Sequence, residues 1–168
     1  MSVEEHKAEA PKSVSCKIIT VSDTRTKETD KSGKAIIDYL ERANHKVTNY
    51  VIVKDEPSEI ESEILNGFED PDIDVVLTNG GTGISKRDIT IETVQELIEK
   101  EIVGFGELFR MLSYTEDIGS AAIMSRAIAG VTGTTAVFSM PGSTGAVKLA
   151  MEKLIIPELP HVLREIRK

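Results

Sequence analysis

The fold is decided by Ile73–Gly83, which has the sequence IDVVLTNGGTG. The first five residues are mostly apolar and β-branched, and such a run predicts a buried strand. Glycines and threonines follow at the point where that strand ends. In open α/β sheets, ligands bind at the carboxyl ends of the strands. The stretch therefore predicts both a parallel sheet and the edge of that sheet where a ligand would lie.

The segment after the strand, Thr78–Gly83, is a candidate anion-binding loop. Glycines lack a Cβ atom, so backbone N–H groups can approach phosphate oxygens closely. Arg87 adds a cation, and Asp88 adds a carboxylate that could hold a metal ion or a polar ring. The alternative is a tight turn in which the glycines only permit a positive φ.

Neither of the common phosphate-binding motifs is present. Gly33-Lys34 is followed by Ala35 and lacks the upstream glycine of a P-loop. Gly81-Thr82-Gly83 has Lys86 at the next required position, so the dinucleotide fingerprint fails as well. A nucleotide would have to be bound in a way that these templates do not describe.

Length and composition predict one globular domain. The chain has 168 residues, of which 40% are hydrophobic and 29% are charged. A net charge of −8 argues against a general binder of nucleic acid or of anionic membranes. The single cysteine, Cys16, lies in an apolar segment and is expected to be a buried thiol. Without a signal peptide or an apolar run of membrane-spanning length, the protein is expected to be cytoplasmic.

Strand and helix patterns alternate along residues 14–168, after a polar segment, residues 1–13, that is expected to be a flexible tail. Strands are predicted at Val14–Val21, Lys46–Val53, Ile73–Leu77, Ala127–Val131 and Thr134–Met140. Helical periodicity is present at Ser32–Ala43, after Pro57, and around Ile91–Ile98, Phe105–Leu112, Ala121–Arg126, Val147–Leu154 and Leu159–Ile166. Strands separated by helices predict a mostly parallel sheet covered on both faces, with one antiparallel hairpin at Thr132-Gly133.

This order of elements places four polar segments at the carboxyl ends of strands. They are Ser22-Asp23-Thr24, Asp55, Thr78–Asp88 and Pro141–Gly145. The last segment also opens a helix, whose N–H groups suit an anion. A simple N-cap explains Ser143 equally well, and ordinary turn chemistry explains Asp55 and Asp23.

The residue types in these segments favour phosphoryl or nucleotidyl transfer. The three histidines lie in the tail (His6), in a turn (His45) and on the last helix (His161), so a histidine-based triad or zinc site is not expected. A phosphate loop with separated carboxylates suits transfer assisted by Mg²⁺. An ionised phosphate as the nucleophile would need no general base.

Taken in order, these segments resemble the molybdopterin-binding MoaB/MogA family of molybdenum-cofactor biosynthesis. The resemblance extends from Val14 to the C-terminus. It is carried by Val21–Thr24, Asp55, Thr78–Gly83 with Arg87-Asp88, Gly104–Glu107, Ser125–Ala127 and Met140–Ser143.

The resemblance implies a three-layer α/β sandwich that assembles as trimers, or as hexamers of paired trimers. It implies adenylyl transfer from Mg·ATP, or from GTP, to the terminal phosphate of molybdopterin, alongside other proteins of that pathway. Asp55 and Asp88 match the functional aspartates and are candidate Mg²⁺ ligands. Matching or nearby positions in the two ligand loops and after the first strand are Thr78, Asn79, Gly80, Gly81, Thr82, Gly83, Pro141, Gly142, Ser143, Thr144, Ser22 and Asp23. A binder or scaffold without turnover is the alternative.

Overall fold

A six-stranded sheet forms the centre of the protein in a computed structural model that describes all residues, Met1–Lys168. The strands are β1 Ser15–Val21, β2 Lys46–Val53, β3 Val75–Asn79, β4 Lys100–Glu101, β5 Ile128–Thr132 and β6 Thr135–Met140. Their order across the sheet is β2-β1-β3-β6-β5-β4. The pairs β2/β1, β1/β3 and β3/β6 are parallel, whereas β5 runs antiparallel to both β6 and β4. The predicted parallel sheet with an antiparallel hairpin is confirmed.

Helices cover both faces of the sheet. They are α1 Val3–Glu9, α2 Lys31–Arg42, α3 Pro57–Glu69, α4 Thr90–Leu97, α5 Val103–Glu116, α6 Thr144–Leu149 and α7 Ile156–Ile166, with a 3₁₀ segment at Gly119–Met124. Helices α2, α5, α6 and α7 contribute to the larger core, and α3 and α4 form the smaller core on the other face. None of the helices combines the length and apolar character that crossing a bilayer requires.

Strand alternation explains the two cores. In β1, Cys16 and Ile18 face the larger core while Ile19 and Val21 face the smaller one. Lys17 lies on the second face and is almost fully buried. Its ammonium group donates to the backbone oxygen of Glu63 at 2.7 Å and to the Glu63 carboxylate at 2.6 Å. That ion pair allows a charged residue within a buried strand.

The last two predicted helices are one continuous helix. A π-helical segment, Ala150–Ile155, joins α6 directly to α7. The buried residues of this helix recur every four positions, at Val147, Met151, Ile155, Leu159 and Leu163. In a regular α-helix a spacing of four would drift by about 40° per step. The wider π turns reduce that drift, and they also accommodate Pro157, which cannot donate a backbone hydrogen bond.

The N-terminal residues differ from the expectation of a segment without regular structure. Val3–Glu9 form helix α1, which begins with a capping box between Ser2 and Glu5. The helix lies against α7, where Arg164 contacts Glu9 at 2.8 Å. Seven residues have too few apolar positions to show a helical period in the sequence. The assignment of residues 1–13 as a tail separate from the domain stays a prediction.

Candidate functional site

Four parallel strands end at a common cleft of about 590 Å³. The loop after β1 contributes Ser22, Asp23, Thr24 and Arg25, and Asp55 lies just beyond β2. The loop after β3 contributes Gly80–Gly83 and Asp88, and the loop after β6 contributes Pro141 and Gly142. The 3₁₀ segment and Ser125-Arg126 form the remaining wall. The four polar segments noted in the sequence thus meet at the sheet edge where α/β proteins bind ligands.

The candidate anion-binding loop Thr78–Gly83, called the glycine loop below, turns sharply because two consecutive glycines have positive φ. Gly80 has φ +94° and Gly81 has φ +68°. A Cβ atom at Gly80 would lie 2.2 Å from the backbone oxygen of Val21. The amide of Gly80 also donates to the backbone oxygen of Met140 at 3.1 Å. Both glycines are therefore required by the close approach of the ends of β1, β3 and β6.

The backbone N–H groups of the glycine loop are available to a ligand in the cleft. Its carbonyl oxygens, in contrast, already accept hydrogen bonds from the protein. Thr90 donates to the oxygens of Gly80 and Gly81, each at 3.0 Å. Arg126 donates to the oxygens of Thr82 and Gly83, at 3.0 and 2.7 Å. No protein acceptor takes the N–H groups of Gly81, Thr82 or Gly83. Adjacent unpaired amides in a turn of this kind form an anion-binding concavity.

Three carboxylates with different environments border the same cleft. Asp23 accepts two hydrogen bonds from Arg87, at 2.8 and 2.9 Å, and one from the Asp55 amide at 3.1 Å. Those bonds, with Arg87 first in importance, lower the pKa of Asp23. The half-buried Asp55 carboxylate receives no hydrogen bond from the protein. Burial, followed by repulsion from Asp23 and Asp88, raises the pKa of Asp55.

The cleft suits a hard cation that arrives with an anionic ligand. One oxygen of Asp88 accepts from the hydroxyl and the amide of Ser85, at 2.6 and 3.1 Å, which leaves its other oxygen free. The carboxylates of Asp23, Asp55 and Asp88 do not converge into a compact three-ligand cage. Mg²⁺ is commonly held by one or two carboxylates together with substrate phosphates. Asp55 and Asp88 fit that arrangement.

Several predicted residues lie outside the cleft lining. Thr78 is fully buried and its hydroxyl donates to Ser139 at 2.8 Å. Asn79 is fully buried and its amide donates to Thr20 at 2.9 Å. Ser143 accepts from the Ala146 amide at 3.2 Å and is the N-cap of α6, and Thr144 is the first residue of that helix. Their side chains therefore stabilise the loops, and the backbone of those loops forms the surface of the cleft.

Two arginines shape the cleft in ways that the sequence did not indicate. Arg25 donates to the backbone oxygen of Gly142 at 2.8 Å and so joins the loops after β1 and β6. Arg126 braces the glycine loop through its carbonyls, as described above. Arg87 was expected to be a cation available to the ligand, but it is paired with Asp23 and with Glu56 at 3.1 Å. Arginine and carbonyl partners are distant in sequence, so no local motif reveals them.

Comparison with known proteins identifies the family of the chain. The family model described as "Probable molybdopterin binding domain" matches residues 17–161. Molybdenum cofactor biosynthesis protein B of Bacillus subtilis (strain 168) is 67% identical over 168 residues, which are 100% of this chain and 99% of that protein. The chain therefore belongs to the MoaB/MogA family of molybdenum-cofactor biosynthesis proteins.

Solved structures show the same family likeness. A crystal structure of a molybdenum cofactor biosynthesis protein B has a TM-score of 0.92 and 63% identity, over 95% of this chain and 99% of that one. The tungsten cofactor synthesizing protein MoaB from Pyrococcus furiosus has a TM-score of 0.84 and 41% identity, over 95% of this chain and 100% of that one. The three-layer fold that the resemblance implied is thus confirmed.

The opposite pKa shifts of Asp55 and Asp23 predict opposite effects on stability. Because the folded-state pKa of Asp55 is raised, its ionised form disfavours folding at pH 7. Asp55→Asn should raise the melting temperature at pH 7, and the gain should shrink as the pH falls through the raised pKa of Asp55 and be lost below about 4, where Asp is protonated in the unfolded chain as well. Asp23→Asn should lower the melting temperature at pH 7, because the pKa of Asp23 is lowered in the folded state and its ionised form therefore stabilises the fold at pH values above about 4. Thermal unfolding at pH 7 and pH 4 measures both. A lower melting temperature for Asp55→Asn at pH 7 would contradict this assignment of charges.

Proposed function

We propose that the chain binds molybdopterin in this cleft and transfers AMP from Mg·ATP to the terminal phosphate of the pterin. The observation that carries the proposal is the row of unpaired N–H groups on Gly81, Thr82 and Gly83, with the carboxylates of Asp55 and Asp88 close to the same loop. Those N–H groups suit a phosphate. The named functions of the relatives support molybdopterin as its carrier.

The carboxylates suit the nucleotide side of the reaction. Without a cation between them, carboxylates this close to the pterin phosphate would only add repulsion. Adenylyl transfer brings two polyanions together, and Mg²⁺, when bound, would offset their repulsion. Asp55 and Asp88 would hold the ion, while the glycine loop orients the attacking phosphate. Because an ionised phosphate is already a nucleophile, no histidine is needed, and none lines the cleft.

Neutral variants of the two aspartates test the transfer. Asp55→Asn and Asp88→Asn are nearly isosteric, so the fold and pterin binding should persist. Pyrophosphate formation from molybdopterin and Mg·ATP should fall by a factor of roughly a hundred or more, since charge stabilisation at the reacting centre is lost. Glu61→Gln, an exposed change of the same charge on α3, is the control. Wild-type rates in both aspartate variants would contradict their assignment.

A molybdopterin binder without turnover is the second candidate. The free amides of the glycine loop would serve binding equally well, whereas a binder has no need of separated carboxylates beside them. Wild-type protein that bound molybdopterin and produced no pyrophosphate from ATP or GTP would favour the binder.

Substitution of Gly81 tests the loop itself. A Cβ atom there would lie 2.3 Å from the Thr90 hydroxyl and would need a positive φ. Gly81→Ala should cost about 1–3 kcal/mol of stability and should sharply weaken molybdopterin binding. Gly133→Ala is a matched control, because Gly133 has φ +59° and open space around its Cβ position. Unchanged affinity in a folded Gly81→Ala protein, measured by titration calorimetry, would show that the loop is only a turn.

We expect the protein to be a homo-oligomer. Apolar side chains are exposed along α5 and the segment after it, at Leu108, Met111, Tyr114, Ile118, Ile123 and Met124. A concentration of exposed apolar side chains favours an interaction site, and family resemblance suggests a trimer. Light scattering at micromolar concentration should give a multiple of 18.4 kDa, and Met111→Asp should reduce it. A monomer mass for the wild type would contradict this expectation.

A further inference from the structure

Two of the three histidines meet on a surface that the cleft does not include. His6 lies on α1, while His161 and Glu165 are one turn apart on α7. The Nδ1 atom of His6 is 3.0 Å from a Glu165 oxygen, and the Nε2 atom of His161 is 3.7 Å from the same oxygen. All three ligand atoms lie within 4.8 Å of one another. Two histidines that are far apart in the sequence thus lie together in the fold.

These separations match the requirement of a tetrahedral metal ion. Zn²⁺ bonds imidazole nitrogen and carboxylate oxygen at about 2.0–2.2 Å, which places neighbouring ligands about 3.3 Å apart. The two distances to the Glu165 oxygen, 3.0 and 3.7 Å, lie on either side of that value. Both imidazoles are mostly shielded, with 18% of each side chain exposed. Little rearrangement would bring the three atoms around one ion.

A second carboxylate orients His161. Its Nδ1 atom is 2.8 Å from Glu158, which is itself 2.6 Å from the ammonium group of Lys7. If Nδ1 carries the proton in this bond, the lone pair of Nε2 faces Glu165 and His6. Metal-binding histidines commonly have such a carboxylate on their other nitrogen. The orientation thus prepares one specific nitrogen as a ligand.

We propose that His6, His161 and Glu165 form a binding site for a divalent transition-metal ion of the Zn²⁺ type, which joins α1 to α7. Two nitrogen ligands and one carboxylate favour such an ion over Mg²⁺. Three protein ligands leave one tetrahedral position for water. His161 and Glu165 also line a separate cleft of about 480 Å³ between α7 and the β4–β5 edge, which supplies an entry path. An ion there would tie α1 to α7, near the two ends of the chain.

Neighbouring cations set the conditions for binding. Arg164 contacts the same Glu165 oxygen at 2.8 Å, and Lys168 contacts the other oxygen at 2.9 Å. An ion would displace the first contact, and Arg164 would keep its bond to Glu9. An ion would also replace the contact between His6 Nδ1 and Glu165.

Titration of the full, tag-free chain with Zn²⁺, and with Co²⁺ as a spectroscopic probe, tests the site. One ion should bind per chain, with the visible absorption of tetrahedral Co²⁺. At free Zn²⁺ about 100 times the dissociation constant, the melting temperature should rise by roughly 5–10 °C. His45 is buried and its Nδ1 accepts from the Val14 amide at 3.1 Å, so no second histidine pair can account for the signal.

Variants decide which residues bind the ion. His6→Gln and His161→Gln should each weaken Zn²⁺ binding by roughly a hundredfold or more, and Glu158→Gln by about 10–100-fold. Glu4→Gln, on the exposed side of α1, and Asp88→Asn in the other cleft should bind as the wild type does. Absence of Zn²⁺ binding by the wild type, or wild-type affinity in either histidine variant, would overturn the proposal. Because the readout is metal binding, failure here would leave adenylyl transfer untouched.

Discussion

The buried carboxylate of Asp30 joins the cleft loop after β1 to strands β1 and β2 and to the start of α2. It is completely inaccessible to water, and a buried charge persists only with a full set of donors. Its partners are the hydroxyls of Thr20 and Tyr50, each at 2.6 Å, the Gly33 amide at 3.0 Å, and Arg25 at 3.5 Å. Burial and this carboxylate also raise the pKa of Tyr50. Strands β1 and β2, the start of α2 and the first cleft loop therefore share one anchor, and Arg25 extends it to Gly142.

Much of the fold could be predicted because its signals are local. Apolar runs and helical stripes marked five strands and the helices of both cores. Three features lacked such signals. Strand β4 has only two residues, both exposed. Helix α1 is held by charged contacts with α7. In the helix that contains the π segment, the buried residues recur every four positions, a pattern that is easily interpreted as two helices separated at Pro157. Each depends on packing between segments that are far apart in the chain.

The site divides in the same way. Glycines at Gly80–Gly83 and the carboxylates of Asp55 and Asp88 were recognisable because their residue types limit what they can do. The roles of Asn79, Ser143 and Arg87 were harder to predict, since a side chain that stabilises a loop and one that contacts a ligand look alike in sequence. The direction of the hydrogen bonds in the glycine loop could not be predicted from the sequence. That the loop carbonyls are occupied by Thr90 and Arg126, while its amides are not, follows only from the folded arrangement.

The π segment has a consequence for how this protein can change over evolutionary time. A π turn is equivalent to an α-helix with one inserted residue. Loss of a single residue from Ala150–Ile155 would restore α geometry and leave α7 in nearly the same orientation, because the wider turns had absorbed the extra residue. Leu159 and Leu163 would stay in the core, and α6 and the cleft loop before it would keep their places. A change of one residue in the length of this helix can therefore be absorbed within one segment, without altering the edge of the sheet where chemistry would occur.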